Sequence, residues 1–383
     1  MKVALVHDYI KEYGGAERVL EALHEIWPEA PVYTTVYLPE FLGPHKERFK
    51  DWNIITSWFQ KIPYVHKLIS PLRLLTSWVF ENWDFRGFDV VIVSSTGAYF
   101  PNLLVRKPET LHICYCHTPP RYLYCYPTAR QWQKYLAGRI LGELMNHKLR
   151  QVDFLASQRP DFFIANSHEV RRRIEKFYRR AATVIYPPVD NKISNFKFQI
   201  SNKSQNPKVK ITKEYYLTGG RLARSKHIDL AIEACNKLKL PLKVFGRAFA
   251  GYGEELINLA GPTIEFVGEV SDEKLVQLYS DAKALIYPSE MEDFGIMSVE
   301  AQACGSPVIG LNQGGIKESV IAGKTGVLFD KLTVEDLTTA IEHFNDIYHH
   351  NDWSSACMAN AKRFSKERFK KEIINFVNTK LNA

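Results

Sequence analysis

Short, uniformly apolar runs alternate with helix-period segments along this chain, and few folds accept such an alternation. Lys2–His7 is the first run; with no polar position inside VALV it reads as a strand buried on both faces, as in a parallel sheet. Gly14-Gly15 follows, and Ala16–Ile26 then places Val19, Leu20, Leu23 and Ile26 at helical spacing. Strand, glycine loop and helix in that order open a doubly wound α/β domain. Val90–Ser94, His112–Tyr115, Phe162–Ala165 and Thr183–Tyr186 are further strand candidates. At Pro187-Pro188 the pattern stops. Residues 187–212 are rich in Asn, Lys and Ser without a period, and read as an interdomain connection or exposed insertion. A second series starts at Tyr215: YYLTGG, helix 227–238, LKVFG, helix 253–260, IEFVG, helix 272–280, ALIYPS, helix 296–304, PVIGL, helix 315–322, GVLF, helix 333–347. The expected fold is α/β, two doubly wound Rossmann-like domains over 1–188 and 189–362 that face each other across a cleft. A tail, 363–383, carries an amphipathic helix from about Ser365 to Leu381 that crosses back to the first domain.

The 383 residues suit two cores of roughly 150–200 residues each. MKVALV is too short for a secretory apolar region, no run of 18 apolar residues occurs, and the six cysteines follow no disulfide spacing. A cytoplasmic, reduced protein is expected. Charge is uneven: residues 1–189 hold 25 Lys and Arg against 18 Asp and Glu, a net +7, and the remainder nets +1. A basic first half fits nucleic acid, acidic lipid, a phosphorylated acceptor, or simple solubility.

Three stretches carry chemistry. In Tyr287–Gly305 a strand ends, a loop brings Glu290, Glu292 and Asp293, and a helix starts near Phe294-Gly295. Free N–H groups at such a helix start hold phosphate, and Gly295 permits close approach. Glu292 and Glu300, eight residues apart, span about two helical turns. They could touch two ends of one extended ligand, or merely complement the helix dipole. GGRLARSK, after the second domain's first strand, offers the planar fork of Arg221 and the point charge of Lys226; both suit a diphosphate, and both are also ordinary surface residues. In the first domain, the turn Gly14-Gly15 suits phosphate approach, and His117 follows a strand as either a ligand contact or a structural histidine.

Taken in order, GGRL-x3-K, IEFVGEVSDEKLVQLYSDAKALIYPS, E-x7-E enclosing FG, CGSPVIG, GGIKESV and GKTGVLF resemble glycosyltransferase family 4, retaining enzymes of the GT-B fold. The resemblance covers nearly the whole chain. It implies that Arg221 and Lys226 bind the donor diphosphate, that Glu292 contacts hydroxyls of the transferred sugar, and that Glu300 holds the ribose. It further implies that backbone amides of Phe294, Gly295 and Ile296 bind a phosphate or the sugar, and that the base rests near Val267, Gly268 and on to Val270. HDYIKEYGGAERVLEAL, ICYCHTPPRYLY, FFIANSHEVRRRIEKFY and TVIYPPVD look like a bacterial subgroup with mannosyltransferases that use GDP-mannose in surface-polysaccharide and O-antigen assembly. By that likeness Gly14 and Gly15 abut the donor phosphates and His117 lies over the sugar; Asp8, near the cleft mouth by its position in the chain, is the candidate to orient the acceptor, with Arg121 and Tyr122. Leu123-Tyr124-Cys125 stands where the subgroup has Trp-Asp, and SSTGAYFPN where it carries a lysine; both departures are on the acceptor side.

The function expected is therefore transfer of a hexose, mannose from GDP-mannose first, to a lipid-linked or oligosaccharide acceptor. The rivals are a sugar-nucleotide epimerase or hydrolase of the same fold, and a non-catalytic nucleotide-sugar or polyanion binder. No nucleic-acid module is present, so no nucleic-acid partner is expected. Neither a cofactor nor a metal is expected: Cys114, Cys116, His117 and Cys125 lack a zinc spacing, no Asp-x-Asp occurs, and Gly251-Tyr252-Gly253 lacks the third glycine of a dinucleotide loop. Residues 52–83 interleave Trp52, Trp58, Phe59, Trp78, Val79, Phe80 and Trp83 with Lys61, Lys67 and Arg73. They read as an interfacial segment on the inner face of the cell membrane, or as a helical pair packed on the sheet. Arg171–Arg173 with Arg179-Arg180 is a second candidate for anionic headgroups.

Overall fold

The structure is a computed structural model that describes residues 1–128, 136–189, 213–249 and 251–382. The connection expected over 187–212 falls, from residue 190 on, outside the described residues. The chain forms two compact units. One comprises Met1–Tyr126, Gln131–Pro188 and Glu367–Ala383, the other Pro127–Arg130 and Val189–Lys366.

The first unit is built on β1 (Val3–His7), β2 (Val32–Thr34), β3 (Ile54–Thr56), β4 (Val90–Ser95), β5 (Leu111–Cys116), β6 (Phe162–Ala165) and β7 (Ala182–Val184). Its helices are α1 (Gly15–Ile26), α2 (Val65–Leu72), α3 (Thr76–Glu81), α4 (Leu136–Ser157) and α5 (His168–Tyr178). All seven strands run parallel in the order β3-β2-β1-β4-β5-β6-β7. Successive side chains of a strand point to opposite faces, so each face of the sheet needs its own cover. Leu5, Val90 and Ile92 meet Val19, Leu20 and Leu23 of α1 on one face. Ala4, Val6, Val91 and Val93 meet Phe80, Phe85, Tyr99 and Leu149 on the other.

The second unit has β8 (Tyr215–Leu222), β9 (Leu242–Ala248), β10 (Ile264–Gly268), β11 (Ala282–Tyr287), β12 (Val308–Leu311) and β13 (Gly326–Phe329). Its helices are α6 (Ile228–Leu238), α7 (Tyr252–Leu259), α8 (Asp272–Asp281), α9 (Ile296–Ala303), α10 (Ile316–Ser319), α11 (Val334–Ile347) and α12 (Trp353–Ala361). The order is β10-β9-β8-β11-β12-β13, again parallel. The last helix, α13 (Lys366–Leu381), belongs to the first unit: Phe369, Ile373 and Val377, four residues apart, enter the core of Leu5, Val19 and Ile92. Truncating one of them, Ile373→Ala for example, costs about 2–5 kcal/mol.

Both sheets reverse their strand order once, between β1 and β4 and between β8 and β11. At such a reversal the two crossover connections leave on opposite faces, and the carboxyl ends of the two strands open a crevice. The local reading differs from the structure in places. β2 and β3, three residues each, are not among the strand candidates, and α4, α5 and α12 are not among the expected helices; α2 and α3 are the helical pair that is one reading of 52–83. The helix expected over 315–322 ends at Ser319, where Val320 turns extended.

Candidate functional site

In the second unit Lys226 follows β8 and Glu292 follows β11, so the strand reversal sets side by side two residues 66 positions apart. The Lys226 ammonium donates to Glu292 Oε2 in a short, half-buried ion pair. The same oxygen accepts from Ser289 Oγ at 2.5 Å. Lys226 Nζ also lies 3.5 Å from the Tyr287 hydroxyl, whose ionisation burial and the nearby Glu292 push far up. A second loop acid is also partnered: Glu290 Oε2 is 3.3 Å from His227 Nε2, and its N–H donates to Ser225 O at 3.0 Å. The acids before α9 thus face side chains of the β8 side, an ammonium for Glu292 and an imidazole for Glu290.

Gly295 caps α9 with φ +81°, a left-handed conformation that costs an L-residue roughly 1–2 kcal/mol. A Cβ there would stand 2.9 Å from Ile316 Cδ1 and 3.3 Å from Tyr287 Cε1. The Glu292 loop is held from behind by Gly314-Gly315. Gly315 N–H donates to Glu292 O at 2.8 Å, and a Cβ on Gly314 would lie 2.3 Å from that same oxygen. This glycine cradle carries no side chain; its sequence signal is the Gly-Gly pair of GGIKESV, which opens a helix after β12, the strand beside β11. Phe294 is buried against Phe364. Glu300, on the second turn of α9, is 2% exposed and accepts from the Tyr279 hydroxyl at 3.4 Å. Arg221 is exposed at the end of β8, its guanidinium 5.5 Å from the Phe249 ring. Ile296 begins α9, and Val267 sits at an irregularity in the β9–β10 pairing just before exposed Gly268.

The first unit gathers a buried polar chain at its own reversal. His7 ends β1 directly opposite Ser94 of β4, and His117 follows β5. His7 Nδ1 lies 3.0 Å from Ser94 O; a carbonyl only accepts, so Nδ1 carries the proton. Ser94 Oγ is 3.1 Å from that Nδ1 and 2.9 Å from His117 Nε2. The hydroxyl therefore accepts from His7 and donates to His117, leaving the His117 proton on Nδ1. Burial, and then the proximity of His7, lower the His117 pKa to about 3, so the ring is a neutral hydrogen-bond donor. On the far side His7 Nε2 is 3.6 Å from Glu17 Oε1, and Glu17 Oε2 accepts from Gly14 N–H at 2.9 Å. Gly14 itself is extended, φ −132°, so the expected glycine turn here is a helix start fastened by Glu17.

Asp8, expected near a mouth, is fully buried. Its Oδ2 accepts from Thr96 N at 3.0 Å, Ala98 N at 3.2 Å and the Thr96 hydroxyl, while no described group bonds Oδ1. Desolvation outweighs these donors and raises its pKa. Tyr122 carries Arg73 stacked 3.7 Å from its ring centre, and Arg73 Nε donates to Ala98 O at 2.9 Å. The Tyr122 hydroxyl is buried without a described partner. Arg121, one residue earlier, is half-buried, its carbonyl accepting from Tyr126 N at 3.1 Å.

Two stretches weighed for membrane contact are partly committed inward. In the basic cluster 171–180 Arg172 and Arg179 are exposed, whereas Arg173 is buried on Glu169 Oε1 at 3.1 Å and Thr118 Oγ1 at 3.1 Å, and Arg180 spends its guanidinium on the carbonyls of Ser157, Gln158, Pro160 and Asp161. In 52–83, Trp52 stacks on His24 at 4.0 Å, and Phe59, Val79 and Phe80 are core residues. Among the described residues all six cysteines are free, and no three His, Cys, Asp or Glu side chains come together as a metal site.

Two parallel-sheet Rossmann-like units with a crevice at each strand reversal are the GT-B fold. Residues 13–192 match the family model Glycosyltransferase Family 4, and residues 199–363 match Glycosyl transferases group 1. The chain thus carries two glycosyltransferase-family domains in tandem. A D-inositol 3-phosphate glycosyltransferase of Gordonia bronchialis is 33% identical over 140 residues, 32% of this chain and 31% of that one. An uncharacterised glycosyltransferase of Methanocaldococcus jannaschii is 25% identical over 214 residues, 55% of this chain and 56% of that one. The alignments therefore span about a third to a half of these relatives. The fold is shared over full length with HepE of Anabaena in complex with UDP (TM-score 0.69, 18% identity, 99% of this chain and 100% of that one). It is shared equally with sucrose-phosphate synthase of Thermosynechococcus elongatus (TM-score 0.71, 17% identity, 99% of each chain).

Proposed function

We propose that this chain is a retaining glycosyltransferase that moves a hexose from a sugar nucleotide to an acceptor hydroxyl. GDP-mannose is the first candidate donor, and a lipid-linked or oligosaccharide acceptor of cell-surface polysaccharide synthesis the candidate acceptor. The observation that carries the reading is the closure of Lys226 on Glu292 at a strand reversal, beside left-handed Gly295 opening α9, in a chain whose two halves match glycosyltransferase family models. In this reading Arg221, Lys226 and the first amides of α9 take up the charge of the departing diphosphate, without a metal. Glu292 accepts from sugar hydroxyls, Glu300 from the ribose, and Val267-Gly268 lie along the base. Such preorganised donors act where charge develops and cost little reorganisation. The acceptor oxygen bonds to the anomeric carbon on the face from which the diphosphate leaves, and its proton passes to the leaving phosphate oxygen. His117 contributes a neutral N–H, Asp8 and Tyr122 serve the acceptor with Arg121, and Gly14-Gly15 approach phosphate. The enzyme works in the cytoplasm against the inner face of the cell membrane.

HepE's complexes with UDP and UDP-glucose put uridine donors in the same screen. A thermal-shift series over GDP-mannose and UDP-, ADP- and other GDP-sugars is the test, because a donor at a hundred times its Kd adds about 2.7 kcal/mol of stability. One donor class should raise Tm, and Arg221→Ala and Glu292→Ala should remove that rise together with transfer or donor hydrolysis. Full turnover by both variants would refute the site. Release of an epimerised sugar nucleotide without acceptor would instead make this an epimerase.

A further inference from the structure

Residues 52–80 contain Lys61, Lys67 and Arg73 and not one of the chain's 42 acidic residues. In the structure this stretch runs through short turns: Trp58–Lys61, α2, Arg73–Leu75 and α3. Its inner face is fastened to the first unit, with Phe59, Val65, Leu72 and Val79 packed on Val36 and Leu38. Its outer face is apolar and uncovered. Tyr64 is 73% exposed, Trp78 67% and Trp58 48%, and Leu68, Leu74 and Leu75 accompany them. Six of the fifteen exposed large hydrophobic residues among the described residues thus fall within 21 positions. Exposed single apolar residues are ordinary, but a contiguous set marks a contact surface.

What covers it follows from charge and composition. Lys61 and Lys67 are exposed on the same stretch and form no ion pair among the described residues; Lys67 Nζ stands 5.7 Å from the Tyr64 ring centre. Arg73 is committed inward, to Ala98 O and the Tyr122 ring. A face of Trp, Tyr and Leu flanked by unpaired lysines and free of acids matches the boundary between headgroups and acyl chains, where amphipathic rings and basic side chains settle. No described helix is long and apolar enough to span a bilayer, and each element here is a turn or two, so the fit is to lying on the surface.

We propose that Trp58, Tyr64, Leu68, Leu74, Leu75 and Trp78 seat the first unit on an anionic lipid bilayer, with Lys61 and Lys67 against the phosphate headgroups. The face is wired to the acceptor-side residues. Arg73 bonds Ala98 O while Ala98 N–H bonds Asp8, and Tyr99 OH donates to Ile69 O of α2 at 2.8 Å. That a seated unit would present Asp8 and Tyr122 to a lipid-linked acceptor rests on the function proposed above; the docking itself does not.

The test is co-sedimentation of the full chain, without nucleotide, with vesicles of phosphatidylcholine alone and with added phosphatidylglycerol. Binding should require the anionic lipid and weaken with salt. Trp58→Ser/Trp78→Ser should lower the partition coefficient at least tenfold. Lys61→Glu/Lys67→Glu should lower it by about fivefold or more per lysine. Tm, and any donor-induced rise in it, should stay as in the unsubstituted chain, which separates this claim from the transferase reading. Equal binding by both variants, no binding at low salt, or a dimer that Trp58→Ser/Trp78→Ser converts to monomer would overturn the proposal, the last by making a second copy the occupant.

Discussion

Gly314 offers the cleanest test of whether the Glu292 loop is a positioned functional element, because the chain contains its own control. Gly314 and Gly323 are both left-handed, with φ +60° and +73°. Replacing either with Ala therefore carries the same conformational cost, roughly 1–2 kcal/mol. Their surroundings differ. A Cβ on Gly323 meets nothing within 4 Å, whereas one on Gly314 stands 2.3 Å from Glu292 O and 2.8 Å from Glu292 N. Both are backbone atoms, so no side-chain rotation relieves the clash. Reaching ordinary contact moves the Glu292 backbone by about 1 Å, a displacement that in a reaction site can cost about a hundredfold. It also disturbs the Gly315 N–H bond to Glu292 O, about 1 kcal/mol more. Gly314→Ala should thus weaken donor binding or turnover by about a hundredfold, near 2.7 kcal/mol, while Gly323→Ala leaves both within a few-fold. Donor titration by calorimetry with parallel melting curves measures this. If the two variants lose stability alike and Gly314→Ala keeps full donor affinity and turnover, Glu292 is not placed by this cradle for ligand contact.

Three further outcomes follow from the first unit. His117, with its pKa lowered to about 3 by burial, should show no imidazole titration by NMR between pH 5 and 8, with Nε2 unprotonated; an inflection near 6.5 would contradict the assigned chain. Because the unfolded ring takes up a proton below its ordinary 6.5 and the folded ring does not, this residue's share of stability is present above pH 6.5 and is lost as pH falls toward 3. Ser94→Ala should lower Tm, since it leaves buried His117 Nε2 without its partner at a cost of about 1–3 kcal/mol, free the His117 tautomer in the same spectra, and lower kcat more than it raises KM. Asp153 has the opposite sign: burial raises its pKa to about 7 although Tyr124 and Tyr178 both donate to it, so its contribution is full below about pH 4 and lost as pH rises through 7. Asp153→Asn should flatten that slope by a few kcal/mol and melt higher than the unsubstituted chain at pH 8.

What was legible in the sequence follows the range of the interactions that produce it. β1, β4 and β5 are runs of apolar residues whose burial is decided within five or six positions, and they stand within a residue or two of where periodicity puts them. Gly295 and the start of α9 are legible for the same reason. VYT and IIT of β2 and β3 are too short to show a period; β2 is a strand because it pairs with the edge of β1, and β3 because it pairs with β2. The ion pair of Lys226 with Glu292, the cradle of Gly314 and the chain from Glu17 to His117 depend on strand order, which local pattern does not encode. The amphipathic stretch 52–83 was legible in composition but not in facing. Trp52 and Phe59 turn inward and Trp58 and Trp78 outward, because the stretch is cut into a strand, short turns and two short helices that share no single helical phase.

The two units also explain each other's construction. Neither polar cluster is local in sequence: one joins segments near residues 7, 94 and 117, the other segments near 226, 292 and 314. Each is local in the sheet, at the carboxyl ends of the strands flanking the reversal, β1 with β4 and β8 with β11. A parallel sheet covered on both faces leaves its strand ends as the places where backbone and side-chain polar groups can meet a ligand, and the reversal is where helices do not close over them. The clusters then diverge by solvation. In the first unit His7, Asp8 and Ser94 are fully buried, so charge is expelled: the His117 ring is held neutral and the Asp8 carboxyl is pushed toward its protonated form. In the second unit Lys226, His227, Glu290 and Glu292 keep partial exposure, and Lys226 stays ion-paired with Glu292. A neutral hydrogen-bonding end suits hydroxyl groups, and a charged, paired end suits a diphosphate. That difference in solvation is what supports the proposal that nucleotide binds the second unit and the acceptor hydroxyl the first.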